Sequence, residues 1–379
     1  MLEQIRLELD KIDDQIASLY GQRMKLVEQV IQAKQQSGKA VNDSERERKI
    51  LLRVAEQVPT EYQVYLKRVF ETIFETSKAH QIASKKLDSS IGSKIKNALK
   101  HHAQFPVKEK IACQGVVGAY SGIATDRMFE LADITYFKNF EGVFQAVEKG
   151  FCKYGMLPIE NSSAGSVNQV YDLMKKHKFY IVKSIRLWVN HNLIANKSAK
   201  KEDIKEIVTH EQAILQCKGY LEKMTGIKIT PVENTAVASK MVAESGRLDL
   251  GAISSRECAD IYGLKILDNN IQDSSSNYTR FILIAKDLEV YNDARKISIM
   301  TTLEQNSPGS LNKLLSKFSN LGINLTKLES RPIVGSSFEF MFYFDFECDI
   351  NSSAMHNLLD ELDNSTEQFT FLGAYNEIV

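Results

Sequence analysis

A multidomain chain is predicted, with an all-α helical segment, an α/β segment of two lobes and a ferredoxin-like α+β segment following one another, because the hydrophobic period changes twice along the 379 residues. Residues 1–88 repeat apolar side chains every three or four positions, residues 109–286 alternate short apolar runs with helical stretches, and residues 295–379 follow the order βαββαβ. The length agrees, since one ordinary core serves roughly 150 residues.

In the first segment the stripe Leu2, Ile5, Leu9, Ile12, Ile16, Leu19, Leu26, Val30, Ala33 predicts one long amphipathic helix, unbroken until Gly38. Ser44 with Glu47 three positions later is a capping-box pattern ahead of Ile50, Leu51, Val54 and Val58, and predicts a second helix. A third follows Pro59 and carries Leu66, Val69, Phe70, Ile73 and Phe74. Residues 89–108 are rich in serine and lysine, with His101 and His102 ahead of Pro106, and read as a solvated linker, partly helical at most.

Strands are expected in the second segment at 111–113, 134–137, 154–159, 180–189, 207–209, 227–232, 250–254 and 278–285, in largely parallel sheets. The segment is long enough for two lobes with a cleft between them. In the third segment strands are expected at 297–303, 323–328, 338–346 and 369–375, with helices at 309–321 and 353–362. The strand 338–346 sets Phe338, Phe340, Phe342, Phe344 and Phe346 against Glu339, Met341, Tyr343 and Asp345, so one face is expected to be core.

Lysine plus arginine and aspartate plus glutamate both number 48, which leaves no overall basic field for nucleic acid or anionic lipid. No apolar stretch approaches the roughly 20 residues that span a bilayer, and the N-terminus lacks a signal-like apolar run, so a cytoplasmic location is expected. The five cysteines, Cys113, Cys152, Cys217, Cys258 and Cys348, lie far apart and never as C-x-x-C. Free thiols are expected, with neither a disulfide framework nor a metal or cofactor.

Polar residues interrupt the helical seam. After Leu19 the next inward position is Arg23, and Lys34 lies eleven residues on, on nearly the same side. The third helix continues Phe70, Ile73, Phe74 into Ser77 and Gln81. An unpaired buried cation costs several kcal/mol, so either an internal salt-bridge network with Asp43 or Glu47 or an anionic ligand completes Arg23 and Lys34. Arg6 stands 17 residues before Arg23, about 25 Å along one helix. The two serve one small ligand only if Arg6 comes from a second subunit.

The series Arg6, Arg23, Lys34, Asp43, Arg46, Glu47, Ser77, Gln81, with NDSERER at 42–48, resembles the all-helical class of chorismate mutase. The resemblance implies that Arg6 and Arg23 hold the two carboxylates of chorismate, with Ser77 assisting. Lys34 and Gln81 would donate to the ether oxygen, and Asp43 and Glu47 would orient the ring hydroxyl. It also implies an interlocked homodimer.

In the second segment GVVGAYS (115–121), PIENSSAGS (158–166) and NYTRF (277–281) place small and polar residues at expected strand ends. With THEQAILQC (209–217) and ENTAVAS (233–239) they resemble the prephenate dehydratase domain, although Val116 stands where that family usually has proline. The resemblance implies a periplasmic-binding-like fold of two lobes and Thr279 as general acid. Asn161, Ser162, Ser163, Asn234 and Thr235 would support it around prephenate. Arg280 would bind a carboxylate or hold its strand, and His210 would be a participant or a satisfied polar residue.

EQNSPGSL (304–311) and LESRPIVG (328–335) resemble the ACT domain, with Gly309-Ser310-Leu311-Asn312 in place of the usual Gly-Ala-Leu-Val. Phenylalanine is then the implied effector, held by Pro308, Gly309, Ser310 and Leu311 together with Glu329, Ser330, Arg331 and Pro332 at a subunit interface. The three resemblances together are those of the bifunctional chorismate mutase/prephenate dehydratase family. Two other readings stay open: one of the activities has been lost, or the chain is a ligand-sensing regulatory protein whose helices only dimerise it.

Overall fold

The apolar stripe of the first segment becomes one helix of 36 residues, α1 (Leu2–Ser37), followed by α2 (Ser44–Ala55) and α3 (Thr60–Ala83). The computed structural model describes residues 1–37, 44–83, 91–101, 104–303, 307–333 and 339–379. The later part of α1 lies against α3, where Tyr20 donates to Thr76 at 3.1 Å and Val27 and Ile31 are buried. α2 is tied to α3 by the Lys78–Glu47 ion pair at 2.8 Å. The earlier part of α1 has no such cover: Leu2, Ile5, Leu9, Ile12, Ile16 and Leu19 are 50–63% exposed.

Within the stretch 89–108, residues 91–101 form a helix that is packed rather than solvated. Helix α4 (Ile91–His101) buries Ile91, Ile95 and Ala98 in the core of the third segment, and Asp360 accepts from the amide of Ile91 at 2.9 Å. Apolar residues at i, i+4 and i+7 make one face, and the lysines and serines that dominate the composition occupy the other.

The second segment comprises β1 (Lys108–Gln114), α5 (Tyr120–Met128), β2 (Leu131–Phe137), α6 (Phe140–Glu148), β3 (Tyr154–Asn161), β4 (Gly165–Ser166), α7 (Asn168–His177) and β5 (Tyr180–Trp188). The chain then crosses into a second lobe of β6 (Asn192–Ala195), β7 (Glu206–Thr209), α8 (Glu211–Gln216), α9 (Lys218–Leu221), β8 (Lys228–Pro231), α10 (Thr235–Ser245), β9 (Leu250–Ser254), α11 (Arg256–Ile261) and β10 (Lys265–Asp268). It returns to the first lobe through β11 (Tyr278–Ala285). The two crossings run side by side, with the amide of Val189 donating to the carbonyl of Asn277 at 2.8 Å.

The sheets are mixed rather than largely parallel. β1 pairs parallel with β2 and β3, and β7 with β8 and β9, but β11 runs antiparallel to β3 and β5, and β6 antiparallel to β9 and β10. The physical reason is the crossing itself, because a strand that re-enters a lobe from its far side points against its neighbours.

The third segment has β12 (Lys296–Thr301), α12 (Ser310–Ser319), β13 (Asn324–Pro332), β14 (Phe340–Glu347), α13 (Ser353–Ser365) and β15 (Phe369–Ile378), in spatial order β13-β14-β12-β15. This is the βαββαβ, ferredoxin-like arrangement. The end of β15 pairs in parallel with β5, which fuses this sheet with that of the first lobe into ten strands. The fusion needs glycine at position 373, where a Cβ would come within 2.2 Å of the carbonyl oxygen of Ile181.

That fusion also corrects the expectation that β14 has one core face. Phe342, Phe344 and Phe346 join the core under α4, α12 and α13, whereas Met341 and Tyr343 pack with Tyr171 and Met174 of α7. Asp345 on that second face meets Arg280 of β11 at 2.6 Å, both side chains being buried. Phe338 lies outside the described residues.

Candidate active sites

In the helical segment Arg23 donates to Ser77 Oγ at 2.5 Å, and its guanidinium lies 5.7 Å from the ring centre of Phe74. Ser77 is 4% exposed and returns its own proton to the carbonyl of Ile73 at 2.6 Å, which leaves its oxygen to accept from Arg23. Burial lowers the pKa of Arg23, and among the described residues no carboxylate is paired with it. Glu47, one of the two acids of the salt-bridge alternative, is taken by Lys78. One turn beyond Ser77, the side-chain oxygen of Gln81 is buried without a hydrogen-bond partner among the described residues. A cation, a hydroxyl and an unsatisfied amide therefore share one inner surface. Asp43 and the side chain of Lys34 lie outside the described residues. Arg6 is exposed on the uncovered part of α1, about 25 Å along the axis from Arg23 at the helical rise.

A cavity of about 420 Å³ opens between the two lobes of the second segment. Three helices begin at its wall: α5 through Tyr120 and Ser121, α8 through His210 and Gln212, and α10 through Asn234 and Thr235. Their first-turn amides and dipoles make the space favourable to anions. The lining residues contain no lysine or arginine, and Glu233 is their one carboxylate. Asn234 caps α10 by accepting from the amide of Val237 at 2.8 Å. His210 caps α8 in the same way, its Nδ1 accepting from the amide of Gln212 at 3.2 Å, and burial lowers its pKa.

Thr279 sits on the first-lobe wall, on β11 beside β3, and its orientation follows from its neighbour. The Asn161 side-chain oxygen accepts from the amides of Ser163 at 3.0 Å and Ala164 at 2.9 Å, so its NH₂ group must face the other way. That NH₂ donates to Thr279 Oγ1 at 2.9 Å and to Asn277 Oδ1 at 2.9 Å. The Thr279 oxygen is thereby an acceptor towards the protein, and its proton remains for the cavity.

Three residues expected at this site do not line it. Ser162 Oγ donates to the carbonyl of Ser276 at 2.7 Å and accepts from the amide of Tyr278, so it ties the 162–166 turn to the returning chain. Ser163 meets the site only through its amide on Asn161. Arg280 points to the opposite face from Thr279, as neighbours in a strand must, and lies among Asp345, Glu377 at 3.6 Å and Glu160 at 3.7 Å. It holds the two domains' sheets together rather than a substrate carboxylate.

Residues that sequence reasoning missed are His191, Gln216 and Asn277, which extend the hydrogen bonds of Asn161 across the cleft. Asn277 and Gln216 lie within the quoted motifs, and a signal was present in the polar run Asn190-His191-Asn192 directly after an expected strand.

In the third segment Gly309 precedes α12 with φ +90°, a conformation that favours glycine, and no side chain among the described residues caps that helix. Glu329 and Arg331 of β13 face the first lobe. Glu329 accepts from Ser166, and Arg331 pairs with Asp172 at 2.8 Å. Ser330 and Pro332 alternate with them on an exposed face of the edge strand.

Comparison with known proteins matches residues 5–82 to the family Chorismate mutase type II and residues 111–289 to the family Prephenate dehydratase. A bifunctional chorismate mutase/prephenate dehydratase of Buchnera aphidicola is 32% identical over 98% of this chain and 95% of its own length. An arogenate dehydratase/prephenate dehydratase of Arabidopsis thaliana is 39% identical over 71% of this chain and 72% of its own. Among solved structures, a prephenate dehydratase of Arthrobacter aurescens in complex with L-Phe superposes with a TM-score of 0.64 at 26% identity, covering 70% of this chain and 89% of that one. With both catalytic segments matched and a relative aligned over nearly the whole length, the chain belongs to the bifunctional chorismate mutase/prephenate dehydratase family, and it converts chorismate to prephenate and prephenate to phenylpyruvate in phenylalanine biosynthesis.

Proposed function

We propose that the two reactions are carried out at the two sites just described, and that the third segment senses the end product. The observation that carries this reading is the Asn161–Thr279 contact at 2.9 Å, which leaves a hydroxyl proton directed away from the protein in a cleft lined, among the described residues, by no lysine or arginine.

Chorismate is a dianion whose rearrangement breaks an ether C–O bond while a C–C bond forms, with no acid, base or covalent intermediate required. Arg23, assisted by Ser77, holds one carboxylate through a planar fork, and Arg6 of a second subunit holds the other. Lys34 and Gln81 donate to the ether oxygen, where negative charge grows in the transition state. Asp43 and Glu47 orient the ring hydroxyl. The exposed stripe of α1 from Leu2 to Leu19 supports an interlocked homodimer, since a second copy of the same helix would cover it. Mixing Arg6→Ala and Arg23→Ala proteins, each strongly impaired as a mutase, is expected to restore activity, because each mixed dimer regains one intact site. Chorismate consumption after subunit exchange measures this, and no recovery in proven mixed dimers would refute sharing.

In the cleft, the electron pair of the breaking bond between ring and carboxylate enters the ring, and the ring C–O bond breaks. The hydroxyl departs as water after taking the Thr279 proton, which solvent replaces. Helix N-termini hold the substrate's negative charge, and Asn234 and Thr235 supply donors at one of them. Weak rather than ion-paired binding of the scissile carboxylate favours its loss as carbon dioxide.

Phenylalanine is the proposed effector, bound at a subunit interface by Pro308, Gly309, Ser310 and Leu311 ahead of α12 and by Glu329, Ser330, Arg331 and Pro332 of β13. Uncapped amides at α12 suit its carboxylate. Coupling to the cleft is supported by Lys327, which pairs with Glu160 at 3.2 Å next to Asn161. This gives functional units of 1–88, 109–286 and an ACT-like 295–379, joined by 89–108. A cytoplasmic place of action accords with the absence, among the described residues, of any helix long and apolar enough to cross a membrane. Calorimetric titration with phenylalanine is expected to give heat, and the same ligand to slow phenylpyruvate formation. No heat at millimolar concentration would end the effector assignment.

A further inference from the structure

His191 lies where the chain crosses from the first lobe to the second, is 2% exposed, and lines the same cavity as Thr279. Its Nε2 is 2.8 Å from the side-chain oxygen of Gln216. That oxygen also accepts from Asn277 Nδ2 at 3.0 Å, while the Gln216 NH₂ is turned to Asn277 Oδ1 at 3.4 Å and Asn161 Oδ1 at 3.5 Å. The network therefore fixes which end of each amide is oxygen, starting from the backbone amides that Asn161 accepts. An amide oxygen only accepts, so His191 must carry its proton on Nε2. Burial lowers the pKa of the ring, which keeps it neutral. Its Nδ1 is then an acceptor, and it is buried with no hydrogen-bond partner among the described residues.

A buried acceptor left without a donor is costly, so such an atom on a residue that lines a binding cavity calls for a donor on the ligand. At neutral pH prephenate has two carboxylates and a ketone, which only accept. Its ring hydroxyl is its one donor. We infer that His191 is a substrate-binding residue whose Nδ1 accepts the hydrogen bond of the ring hydroxyl that leaves. This rests on the assignment of the cleft to prephenate. The two side chains then hold one oxygen from two sides: His191 accepts its hydrogen, and Thr279 donates to its lone pair. No proton moves to His191. The hydroxyl keeps its own hydrogen, gains a second from Thr279 and departs as water. Gln216 and Asn277 are positioning residues in this arrangement, because they set the tautomer that makes Nδ1 an acceptor.

Two substitutions separate the two ring nitrogens. In His191→Asn the side-chain oxygen falls near the place of Nδ1, so an acceptor remains but the link to Gln216 is lost. In His191→Gln the longer amide reaches Gln216, and nothing stands in for Nδ1. The expected result is a His191→Asn enzyme whose kcat for dehydration exceeds that of His191→Gln by about 10–100-fold, the range for a hydrogen bond to a reacting substrate hydroxyl. Equal rates in the two variants, or a faster glutamine variant, would overturn the inference, as would wild-type rates in both. Thermal melts and chorismate conversion by the same preparations report whether the variants fold. Independently of these variants, ¹⁵N-imidazole spectra of the full-length Thr279→Ala protein are expected to show the His191 Nδ1 resonance moving when prephenate is added. An unmoved resonance under saturating prephenate would overturn the inference too. Should Thr279→Ala retain full dehydratase activity, the failure would instead lie with the assignment of the cleft.

Discussion

Replacing Arg23 with alanine is expected to lower kcat/KM for chorismate by about 10²–10³-fold, the usual scale for losing one preorganised electrostatic partner of a transition state. The guanidinium is held by Ser77 and leans on Phe74, yet no carboxylate among the described residues neutralises it. Its charge is available to a ligand, and in the proposed arrangement an alanine leaves one substrate carboxylate without its fork. Phenylpyruvate formation from supplied prephenate should be unchanged, because Arg23 lies in the helical segment and does not line the cleft between the lobes. Separate assays of chorismate disappearance and phenylpyruvate appearance read the two activities. Loss of both from a folded protein would contradict two independent sites.

The opposite pattern is expected of Thr279→Ala. Removing the hydroxyl leaves Asn161 in place, still oriented by the amides of Ser163 and Ala164, but deletes the hydroxyl proton that the proposed mechanism gives to the leaving group. The kcat for dehydration should fall by about 10²–10⁴-fold, the range for general acid catalysis. KM should change little, since the helix N-termini that attract the anion are untouched. Thr279→Ser is expected to recover much of the rate. A serine variant no better than alanine would point to packing by the threonine methyl rather than to its hydroxyl.

How much of each site was legible depended on how local its geometry is. Arg23, Ser77 and Gln81 announced themselves because a polar residue in an amphipathic stripe is conspicuous, and the helical period says which way it points. Thr279 was conspicuous only through its resemblance to a known motif, as a threonine within a strand is ordinarily there for β propensity. Arg280 belongs to the same Thr-Arg-Phe motif, which leaves a carboxylate or its own strand as its partner, and the two-residue period of a strand turns it to the opposite face from Thr279. Ser162 and Ser163 share the turn with Asn161, but the hydroxyl of Ser162 ties that turn to the returning chain and Ser163 gives Asn161 only its backbone amide. His191 and Gln216 come from a crossing segment and a short helix, and no spacing in the chain declares that they meet.

The amino-acid sequence by itself determined the three segments, the unbroken first helix, the strand–helix alternation and the βαββαβ order, because each follows from which side chains recur on one face of a local element. Tertiary structure alone decided what those faces meet. It set β15 beside β5, buried the second face of β14 against α7 and Arg280, and drew α4 into a core that its composition did not suggest. It also brought residues more than a hundred positions apart, Asn161 and Thr279, to 2.9 Å. The physical reason is that periodicity encodes the direction of a side chain relative to its own backbone, whereas partners are chosen by long-range burial and pairing, to which distant parts of the chain contribute together.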